Sequence, residues 1–372
     1  MTAATKRVLS QDVASPGLLD IQANVALGPL TTLQVGGPAR WLLRAASADQ
    51  VRAGLAWARN EGLAVWILGG GSNVVVADAG LPGLVLQPGG HSWQARPVAR
   101  SGAVQVRVEA GAVWDDLVAW SVAEGLGGIE CLSGIPGHCG AAPIQNIGAY
   151  GQEVAEVIES VEALDVASGQ VLTWTREDCA FAYRDSAFKR AAGSQVVLAM
   201  TVRLQANAQP AVRYAQVAEA LLGRTLEPGA AGLQALREVV LALRRSKAMV
   251  IDASEPDSRS CGSFFVNPIV TVEQAAAVAT RMLATLQAGT SMPQWPARDG
   301  VKLSAAWLIE RSGMPRGYGD GPVGLSRKHT LALVNRGGAT AAQVLAFAGL
   351  VQDRVRQATG VQLEREPVLL GF

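Results

Sequence analysis

Long apolar runs, blocks of like charge and paired cysteine motifs are all missing from this sequence. No apolar run approaches the roughly 18 residues of a membrane span, so a transmembrane helix is not expected. The formal net charge is +1 and no basic block is present, which argues against nucleic-acid binding. The four cysteines form no CxxC pair and the three histidines lie far apart in the sequence, which disfavours a zinc or iron–sulfur site.

A secretion signal is missing as well, because residues 1–17, MTAATKRVLSQDVASPG, contain no apolar core. We predict a mobile N-terminal tail over residues 1–21 and a cytoplasmic protein without metal or disulfide. Cys131 and Cys139 are interpreted as small loop fillers, with a redox pair as the alternative. A chain of 372 residues with 49% apolar and 17% charged residues is typical of a globular protein of two or three domains.

Glycine is concentrated in one stretch that no regular element explains. Residues 128–151, GIECLSGIPGHCGAAPIQNIGAYG, are named the long loop below. Glycine has no Cβ, so the backbone N–H groups of such a loop can approach a ligand closely. Its apolar residues indicate packing against the rest of the protein: Ile129, Leu132, Ile135, Ile144 and Ile147. We interpret the long loop as a wall of a binding site.

The hydrophobic pattern predicts a mixed α+β first half. Ser47–Gln50 is a capping box for a helix that stops at Gly62, and the buried strand Leu63–Leu68 runs into Gly69–Asn73. A helix at Trp114–Glu124 is predicted among further strands at Val74–Val76, Val104–Ala110, Ser160–Val166, Val171–Trp174 and Val196–Leu204. Gln205–Gly232 is interpreted as an inserted loop with a short helix.

In the second half, helices alternate with strands. Helices are predicted at Leu236–Met249, Glu273–Gln287 and Ser304–Arg311, and strands at Gly262–Asn267 and Leu331–Asn335. Thr340–Gln343 is a second capping box, and Gly360 stops the helix that it starts. The buried stripe of that helix is predicted to be Val344, Phe347, Ala348, Val351 and Val355, and Val361–Gly371 is predicted to be extended.

The motif GGGSN at residues 69–73 is weak by itself. It is not a Walker loop, since no Gly-Lys-Ser/Thr follows, and the strand-like Val74–Val76 replaces the helix of a dinucleotide fingerprint. A tight structural turn and a nest of N–H groups around a pyrophosphate are equally compatible with it. Two glycine-rich loops in one domain favour a dinucleotide held by main chain.

Four polar residues have both a structural and a functional reading. Arg184 forms either a surface ion pair or the partner of a substrate carboxylate. Ser263 is either a half-buried strand serine bonded to backbone or a proton donor. A role as nucleophile is disfavoured, because the segment offers no His or Lys that could act as its base. The structural interpretation of Glu366 is a residue of an exposed, charged edge strand, and that of Lys247 is a solvated residue at the end of a helix.

Taken together, seven segments resemble the UDP-N-acetylenolpyruvoylglucosamine reductases (UDP-N-acetylmuramate dehydrogenases). The matching segments are TTLQVGGPA (31–39), LGGGSN (68–73), IPGHCGAAPIQNIGAYG (135–151), YRDSAFK (183–189), RRSK (244–247), CGSFFVNP (261–268) and LEREPVLLG (363–371). The sequence motif PIQNIGAYG and a segment bearing Tyr214 are similar to those of the first type of this family. Two departures are Val266, where some members carry lysine, and Pro367, where a β-branched residue is common.

The resemblance implies an α+β fold with an FAD-binding region of the vanillyl-alcohol-oxidase (PCMH) type in two subdomains and a C-terminal α+β substrate domain. The implied boundaries are 22–92 and 93–235 for the FAD-binding subdomains, with a substrate loop near 205–232, 236–360 for the UDP-sugar domain, and 361–372 for a C-terminal strand carrying Glu366.

The resemblance also implies the site residues. Cofactor contacts are implied for Gly69, Gly70, Gly71, Ser72, Asn73, Ile135, Pro136, Gly137, Gly140, Ala141, Pro143, Ile144 and Arg244. Substrate contacts are implied for Tyr214, Lys247 and Asn267. Arg184 and Glu366 are implied to polarise the enolpyruvyl carboxylate, and Ser263 to protonate the carbon after hydride delivery from NADPH through non-covalent FAD.

Two other functions stay open at the level of sequence. One is an FAD-dependent oxidase of the same fold with a flavin linked covalently to His138 or Cys139. The other is a non-catalytic protein that binds nucleotide sugars. We expect the protein to be a monomer.

Overall fold

The computed structural model describes residues 5–8, 19–283 and 291–372. The strands in this part of the chain are β1 (Thr5–Val8), β2 (Leu19–Ala26), β3 (Pro38–Ala45), β4 (Val65–Ile67), β5 (Val74–Val76), β6 (Leu81–Pro88), β7 (Trp93–Val98), β8 (Ala103–Glu109), β9 (Leu126–Gly127), β10 (Gly148–Ala149), β11 (Gln152–Glu153), β12 (Ile158–Asp165), β13 (Val171–Thr175), β14 (Gln195–Ala206), β15 (Ile269–Val270), β16 (Gln294–Ala297), β17 (Gly300–Leu303), β18 (Val323–Leu325), β19 (Leu333–Asn335) and β20 (Val368–Leu370).

Eight α-helices accompany these strands in the described residues. They are α1 (Ala48–Asn60), α2 (Trp114–Ala123), α3 (Ala187–Arg190), α4 (Ala215–Ala220), α5 (Ala230–Ser246), α6 (Val272–Met282), α7 (Ala305–Arg311) and α8 (Ala341–Thr359).

The chain divides into two compact units. The first unit holds the described residues up to Ala26 together with Pro38–Gly71 and Leu81–Val250. The second holds Leu27–Gly37, Ser72–Gly80 and Ile251–Phe372. The two short segments belong to the second unit because Leu33, Val35 and Val75 are buried in its core.

The first unit is built on two sheets. One has the strand order β1-β2-β3-β6-β4, with β3, β6 and β4 parallel, and the apolar side of α1 joins its core. The other has the order β13-β12-β14-β8-β7 in antiparallel pairs, with β9 added to β14. The first of these sheets takes in part of the segment predicted as a tail, since β1 pairs with β2. Residues 1–4 and 9–18 of that segment lie outside the described residues.

The long loop packs as its apolar residues predict. Ile129 and Leu132 are fully buried, and Ile135, Ile144 and Ile147 pack against the core beside the second sheet. Regular structure within it is limited to short 3-10 turns and the two-residue strand β10. Trp114 of α2 secures it, because its indole Nε1 donates to the Leu132 carbonyl at 3.1 Å.

In the second unit, α8 confirms its sequence prediction in detail. Thr340 and Gln343 form both halves of the capping box, and Gly360 ends the helix in the left-handed conformation at φ +79°. Val344, Ala348, Val351 and Val355 are completely buried, whereas Phe347 is only partly buried. The carboxylate of Asp78 adds a second cap, since it accepts hydrogen bonds from the backbone N–H groups of Ala341 and Ala342.

The strand predicted over Gly262–Asn267 is wrong. Phe264 donates its N–H to Leu331 and accepts from the N–H of Glu366, while Val266 donates to Glu364. Because these bonds go to two different segments, only one bridge forms, between Phe265 and Arg365. The C-terminal segment, predicted to be extended over Val361–Gly371, forms a regular strand only at β20, which pairs in parallel with β5.

Helix boundaries differ from the prediction in two places. α5 begins at Ala230, six residues before the predicted start, and it lies in the first unit up to its end. α6 begins at Val272 behind a capping box of Thr271 and Gln274 that the sequence analysis missed. The predicted end of that helix at Gln287 lies outside the described residues.

The strand predicted over Leu63–Leu68 is β4, which is shorter than predicted and only half-buried.

Candidate functional site

The two glycine-rich segments of the first unit meet. A Cβ placed on Gly70 would lie 2.7 Å from the Cα of Gly137 and 3.0 Å from the backbone nitrogen of His138. A Cβ on Gly140 would lie 2.5 Å from the Cβ of Ala110. Contacts this short exclude any side chain, so the approach of the two backbones requires glycine. The structure therefore brings together the two loops that were interpreted as a main-chain cradle.

Most residues implied in cofactor binding lie in or beside this contact. Gly69 faces Ala141, and its carbonyl accepts a hydrogen bond from Gln87 Nε2 at 2.9 Å. The Gly137 carbonyl accepts from the N–H of Trp114. The remaining residues of the long loop with an implied cofactor contact follow in the same segment: Ile135, Pro136, Gly140, Pro143 and Ile144.

Ser72 and Asn73 lie in the second unit, unlike the three glycines before them. Asn73 Nδ2 donates to the Glu366 carbonyl at 3.2 Å, and the Asn73 carbonyl accepts from the N–H of Val368 at 3.0 Å. The five-residue motif is therefore divided, with Gly69–Gly71 in one unit and the two polar residues in the other.

Arg244, which the resemblance implies in cofactor binding, and His138 of the long loop each have a buried nitrogen without a hydrogen-bond partner in the described residues. These nitrogen atoms are Arg244 Nε and His138 Nδ1. Arg244 Nε lies 3.3 Å from the position of a Cβ on Gly134, and Arg244 Nη2 donates to the Met249 carbonyl at 2.7 Å. Burial lowers the pKa of the Arg244 guanidinium. Buried polar atoms are nearly always paired in native proteins, so these atoms suit an oxygen-rich ligand such as a dinucleotide.

Arg184 is fixed to the long loop. Its guanidinium donates to the carbonyls of Gly148 at 2.7 Å and Asn146 at 3.3 Å, and its backbone has a positive φ of 54°. The neighbouring acid, Asp185, forms its ion pair with Arg190. Ser186 Oγ ties the same segment to the long loop by donating to the Ile144 carbonyl at 2.7 Å. Arg184 is thus a positioned, half-buried cation within the first unit.

Ser263 and Glu366 lie on paired segments of the second unit. The N–H of Glu366 donates to the Phe264 carbonyl at 2.9 Å, directly beside Ser263. Both side chains are half-buried, whereas Glu364 and Arg365 are exposed. Ser263 Oγ makes no hydrogen bond to the described residues, so the reading of a serine bonded to backbone does not hold. Glu366 is likewise not part of an exposed edge strand.

Tyr214 and Lys247 form a cluster with a residue that the sequence analysis did not select, Tyr150. The rings of Tyr150 and Tyr214 are 5.4 Å apart in an edge-to-face arrangement. Lys247 Nζ lies 5.7 Å from the centroid of Tyr150 and donates to Gln216 Oε1 at 2.8 Å. Burial raises the pKa of Tyr150.

Asn267 has a structural role in the second unit. Its Oδ1 accepts a hydrogen bond from the backbone N–H of Ala305, the first residue of α7, at 2.9 Å. The side-chain oxygen is therefore used to cap a helix, a frequent role of asparagine.

Two acids that support the long loop, half-buried Asp115 and buried Glu130, were also missed. Asp115 forms two hydrogen bonds with Arg237, at 2.6 and 2.8 Å, and accepts from the N–H of Gly134 at 2.6 Å. Glu130 is 1% exposed and accepts from the N–H of Gly128 at 2.6 Å and from Gln152 Nε2 at 2.9 Å. For Glu130 the available signal was a carboxylate between two apolar residues, Ile129 and Cys131.

All four cysteines are buried free thiols. Burial raises the pKa of Cys131, Cys179 and Cys261 to about 12 and shifts that of Cys139 upward as well. A high pKa keeps a thiol protonated and therefore unreactive.

In the described part of the chain, no helix combines the length and apolar character needed to cross a membrane.

Known proteins resemble this chain over most of its length. A model of the C-terminal domain of UDP-N-acetylenolpyruvoylglucosamine reductase matches residues 254–370, and a model of an FAD binding domain matches residues 39–175. The UDP-N-acetylenolpyruvoylglucosamine reductase of Thermobifida fusca (strain YX) is 45% identical over 352 residues, which cover 94% of this chain and 97% of the relative. The protein of the same name from Streptomyces coelicolor is 45% identical over 350 residues, covering 93% and 89%.

A solved structure supports the fold. The crystal structure of UDP-N-acetylenolpyruvylglucosamine reductase from Thermus caldophilus superposes with a TM-score of 0.62 at 23% identity. The likeness covers 95% of this chain and 98% of that chain. The predicted α+β fold with an FAD-binding region of the vanillyl-alcohol-oxidase type is confirmed.

Proposed function

The chain belongs to the UDP-N-acetylenolpyruvoylglucosamine reductase family, and from this membership we propose which of its residues carry out the reaction. The protein is an FAD-dependent oxidoreductase that reduces the enolpyruvyl group of UDP-N-acetylglucosamine enolpyruvate, with NADPH as co-substrate, in the synthesis of the peptidoglycan precursor UDP-N-acetylmuramate. The observation that carries the assignment of the cofactor residues is the contact of Gly70 with Gly137, which joins two loops of bare backbone at one place.

The residues present fit FAD held without a covalent bond. Bound FAD supplies hydride transfer from NADPH to the methylene carbon of the substrate. Gly69–Gly71 and the segment from Ile135 to Ile144 are proposed to hold it, because unsubstituted backbone leaves N–H groups open to phosphate oxygens. Arg244 is proposed to donate its unpartnered Nε–H to the cofactor. Ser72 and Asn73 are proposed as further contacts.

Arg184 and Glu366 are proposed to bind the enolpyruvyl carboxylate. A guanidinium held by two carbonyls is already oriented before the reaction, so it stabilises negative charge that builds on the substrate without reorganising. Glu366 in its protonated form would donate a hydrogen bond to the same carboxylate.

Ser263 is proposed as the proton donor to the substrate carbon. A serine hydroxyl is a weak acid, but a carbanion is basic enough to take its proton. The Ser263 hydroxyl is not bonded to the described residues, which supports its use by a ligand. Tyr214, Lys247 and Asn267 are proposed to contact the diphosphate and the sugar, Asn267 through its amide Nδ2 because its oxygen caps α7.

Replacing Ser263 by alanine separates the two half-reactions. We expect Ser263→Ala to leave bleaching of the flavin by NADPH nearly unchanged, since no proton is delivered to substrate in that step. Reoxidation by the enolpyruvyl sugar nucleotide should slow by a factor of at least about 100, at the low end of the usual contribution of a general acid. Stopped-flow absorbance in the flavin band measures both steps, with Ser312→Ala as a matched control.

An equal loss of rate in both half-reactions would show that Ser263 is not the proton donor.

We also propose that residues 22–92 and 93–235 bind FAD, that residues 236–360 bind the UDP-sugar, and that the protein is a cytoplasmic monomer. Light scattering of the purified holoenzyme tests the monomer, and a mass of two chains would contradict it.

A further inference from the structure

Two of the three histidines lie side by side in the first unit, although they are distant in sequence. The rings of His91 and His138 have centroids 6.5 Å apart and planes at 85°. Both are attached to the turn before α2. His91 Nδ1 is hydrogen-bonded to the Gly111 carbonyl at 2.7 Å, and His138 forms a backbone bridge with Val113. Because a carbonyl only accepts, the proton of this bond sits on His91 Nδ1.

His138 occupies the point where the two glycine-rich segments meet. Its backbone nitrogen is 3.0 Å from the position of a Cβ on Gly70. Its Nδ1 is buried and has no partner in the described residues, unlike the same atom of His91. A ring nitrogen in such a place requires a polar partner that the chain itself does not supply.

We propose that His138 binds a phosphate oxygen of the dinucleotide cofactor through Nδ1 and that it makes retention of the cofactor depend on pH. The proposal rests on the FAD binding described above, and it adds a titratable side chain to a site otherwise formed by glycine backbone. An imidazolium donates a charge-assisted hydrogen bond to phosphate, which is stronger than a neutral one.

The acidic residues on the neighbouring elements do not pair with His138. Glu109, at the end of β8, accepts from the N–H and Oγ of Ser92. On α2, Asp115 is bound by Arg237, and Asp116 is exposed. None of these acids forms a hydrogen bond or ion pair with His138 in the described residues. The neighbouring His91 acts on His138 through its charge.

The direction of the pH effect follows from these surroundings. Burial, and then His91, lower the pKa of His138 from its ordinary value near 6.5 when no anion is bound. A bound phosphate favours the imidazolium and raises that pKa, so the complex takes up a proton between the two values. Affinity for the cofactor is therefore highest below the lower pKa and is lost as pH rises through the higher one, by about tenfold for each unit between them.

The test follows release of flavin from the holoenzyme between pH 5.5 and 8.5. After dilution, ultrafiltration and fluorescence of the filtrate give the dissociation constant of FAD at each pH. We expect the wild type to bind more weakly as pH rises, and His138→Gln to bind more weakly at low pH and to show a flat profile. His329→Gln, which changes the histidine of the second unit, is the control and should behave as wild type.

A flat profile in the wild type, or an unchanged profile in His138→Gln, would overturn the proposal. If His138→Gln does not fold, ¹⁵N-histidine NMR of the wild-type holoenzyme decides. One of three histidine signals should then titrate at a higher pH with FAD bound than after FAD is removed, and the absence of such a signal contradicts the proposal. None of these readouts uses turnover, so a failed reductase assay leaves the result intact.

Discussion

At the scale of single residues, the chemistry of the candidate site lies in positions that sequence patterns describe poorly. Arg184 and Ser263 were selected because the chain resembles a known family, not because their neighbours pointed to catalysis. The structure adds that Arg184 is bound to two carbonyls of the long loop. Tyr150 could not be selected from its pattern, because its contacts with Tyr214 and Lys247 join residues far apart in the chain.

Gly70 tests the glycine contact directly. In Gly70→Ala the new methyl group would lie 2.7 Å from the Cα of Gly137, so one backbone segment must move. We expect the purified variant to lose most of its bound flavin, measured as the ratio of absorbance at 450 nm to that at 280 nm. Gly349→Ala is the control, since a Cβ at this helical glycine meets nothing within 4 Å and alanine favours a helix.

A variant Gly70→Ala that purifies with full flavin content would show that the close approach of the two loops is not needed for binding. Full flavin content together with a lower melting temperature would restrict the role of Gly70 to folding.

Lys247 tests the proposed contact with the substrate. In Lys247→Ala the ammonium group beside Tyr150 and Gln216 is lost. A hydrogen bond to a charged group contributes about 1.5–3 kcal/mol, so the KM for the sugar nucleotide should rise about 10- to 100-fold while kcat changes little. Steady-state kinetics measure both constants. Gln216→Ala keeps the charge and should raise KM much less, and a loss confined to kcat contradicts the assignment.

At the scale of elements, local signals were sufficient for some helices and insufficient for segments held by distant partners. The capping box and apolar stripe of α8 are contained within the helix, and both were predicted. The segment Gly262–Asn267 has an apolar, β-branched and aromatic pattern, yet its hydrogen bonds go to Leu331 and to residues 364–366. Such partners are determined by the fold and cannot be read from the segment.

Glu130 links the long loop to the segment that carries Tyr214. Its carboxylate accepts from Gly128, Gln152 and, at 3.5 Å, the N–H of Ala211. In Glu130→Gln an NH₂ group replaces one acceptor oxygen and faces a donor, a change that costs about 1–3 kcal/mol. We expect a lower melting temperature and a higher KM for the sugar nucleotide, with unchanged flavin reduction by NADPH.

Stopped-flow flavin reduction and steady-state kinetics separate these effects for Glu130→Gln. Glu124→Gln, at an exposed position at the end of α2, is the matched control. If Glu130→Gln slowed flavin reduction as much as it weakened substrate binding, Glu130 would support the first unit as a whole rather than the Tyr214 segment.

At the scale of the whole molecule, the division of the chain follows burial rather than sequence order. The N-terminal segment Leu27–Gly37 and the strand β5 join the second unit because their apolar residues belong to its core. The sequence predicts domains as continuous stretches, since a linear pattern does not show which core a short segment enters. The α+β class itself was predictable from the alternation of short helices and strands.

Each unit also contains a hydrogen-bonded acid that couples its stability to pH: Asp115, which is half-buried, and Asp257, which is buried. Burial alone would raise the pKa of Asp115, but hydrogen bonds from Arg237 and Gly134 outweigh it and hold the pKa below its usual value. In the second unit, bonds from Ser326 and Arg327 outweigh burial and lower the pKa of Asp257. A carboxyl with a depressed folded-state pKa stabilises the fold above its unfolded pKa of about 3.9, and this stabilisation is lost as pH falls through the folded value.

We therefore expect acid to destabilise both units, and each aspartate to account for part of the effect in its own unit. Asp115→Asn should lower the free energy of unfolding by about 1.5–3 kcal/mol at pH 7, since it removes a charged partner from buried Arg237, and by much less near pH 3. Urea titrations followed by circular dichroism, with FAD in excess, measure the difference at both pH values. Asp49→Asn removes an exposed ion pair with Arg52 and should change stability little at either pH. A deficit in Asp115→Asn that is equally large at pH 3 would mean that the lost interaction is packing and not the carboxylate charge.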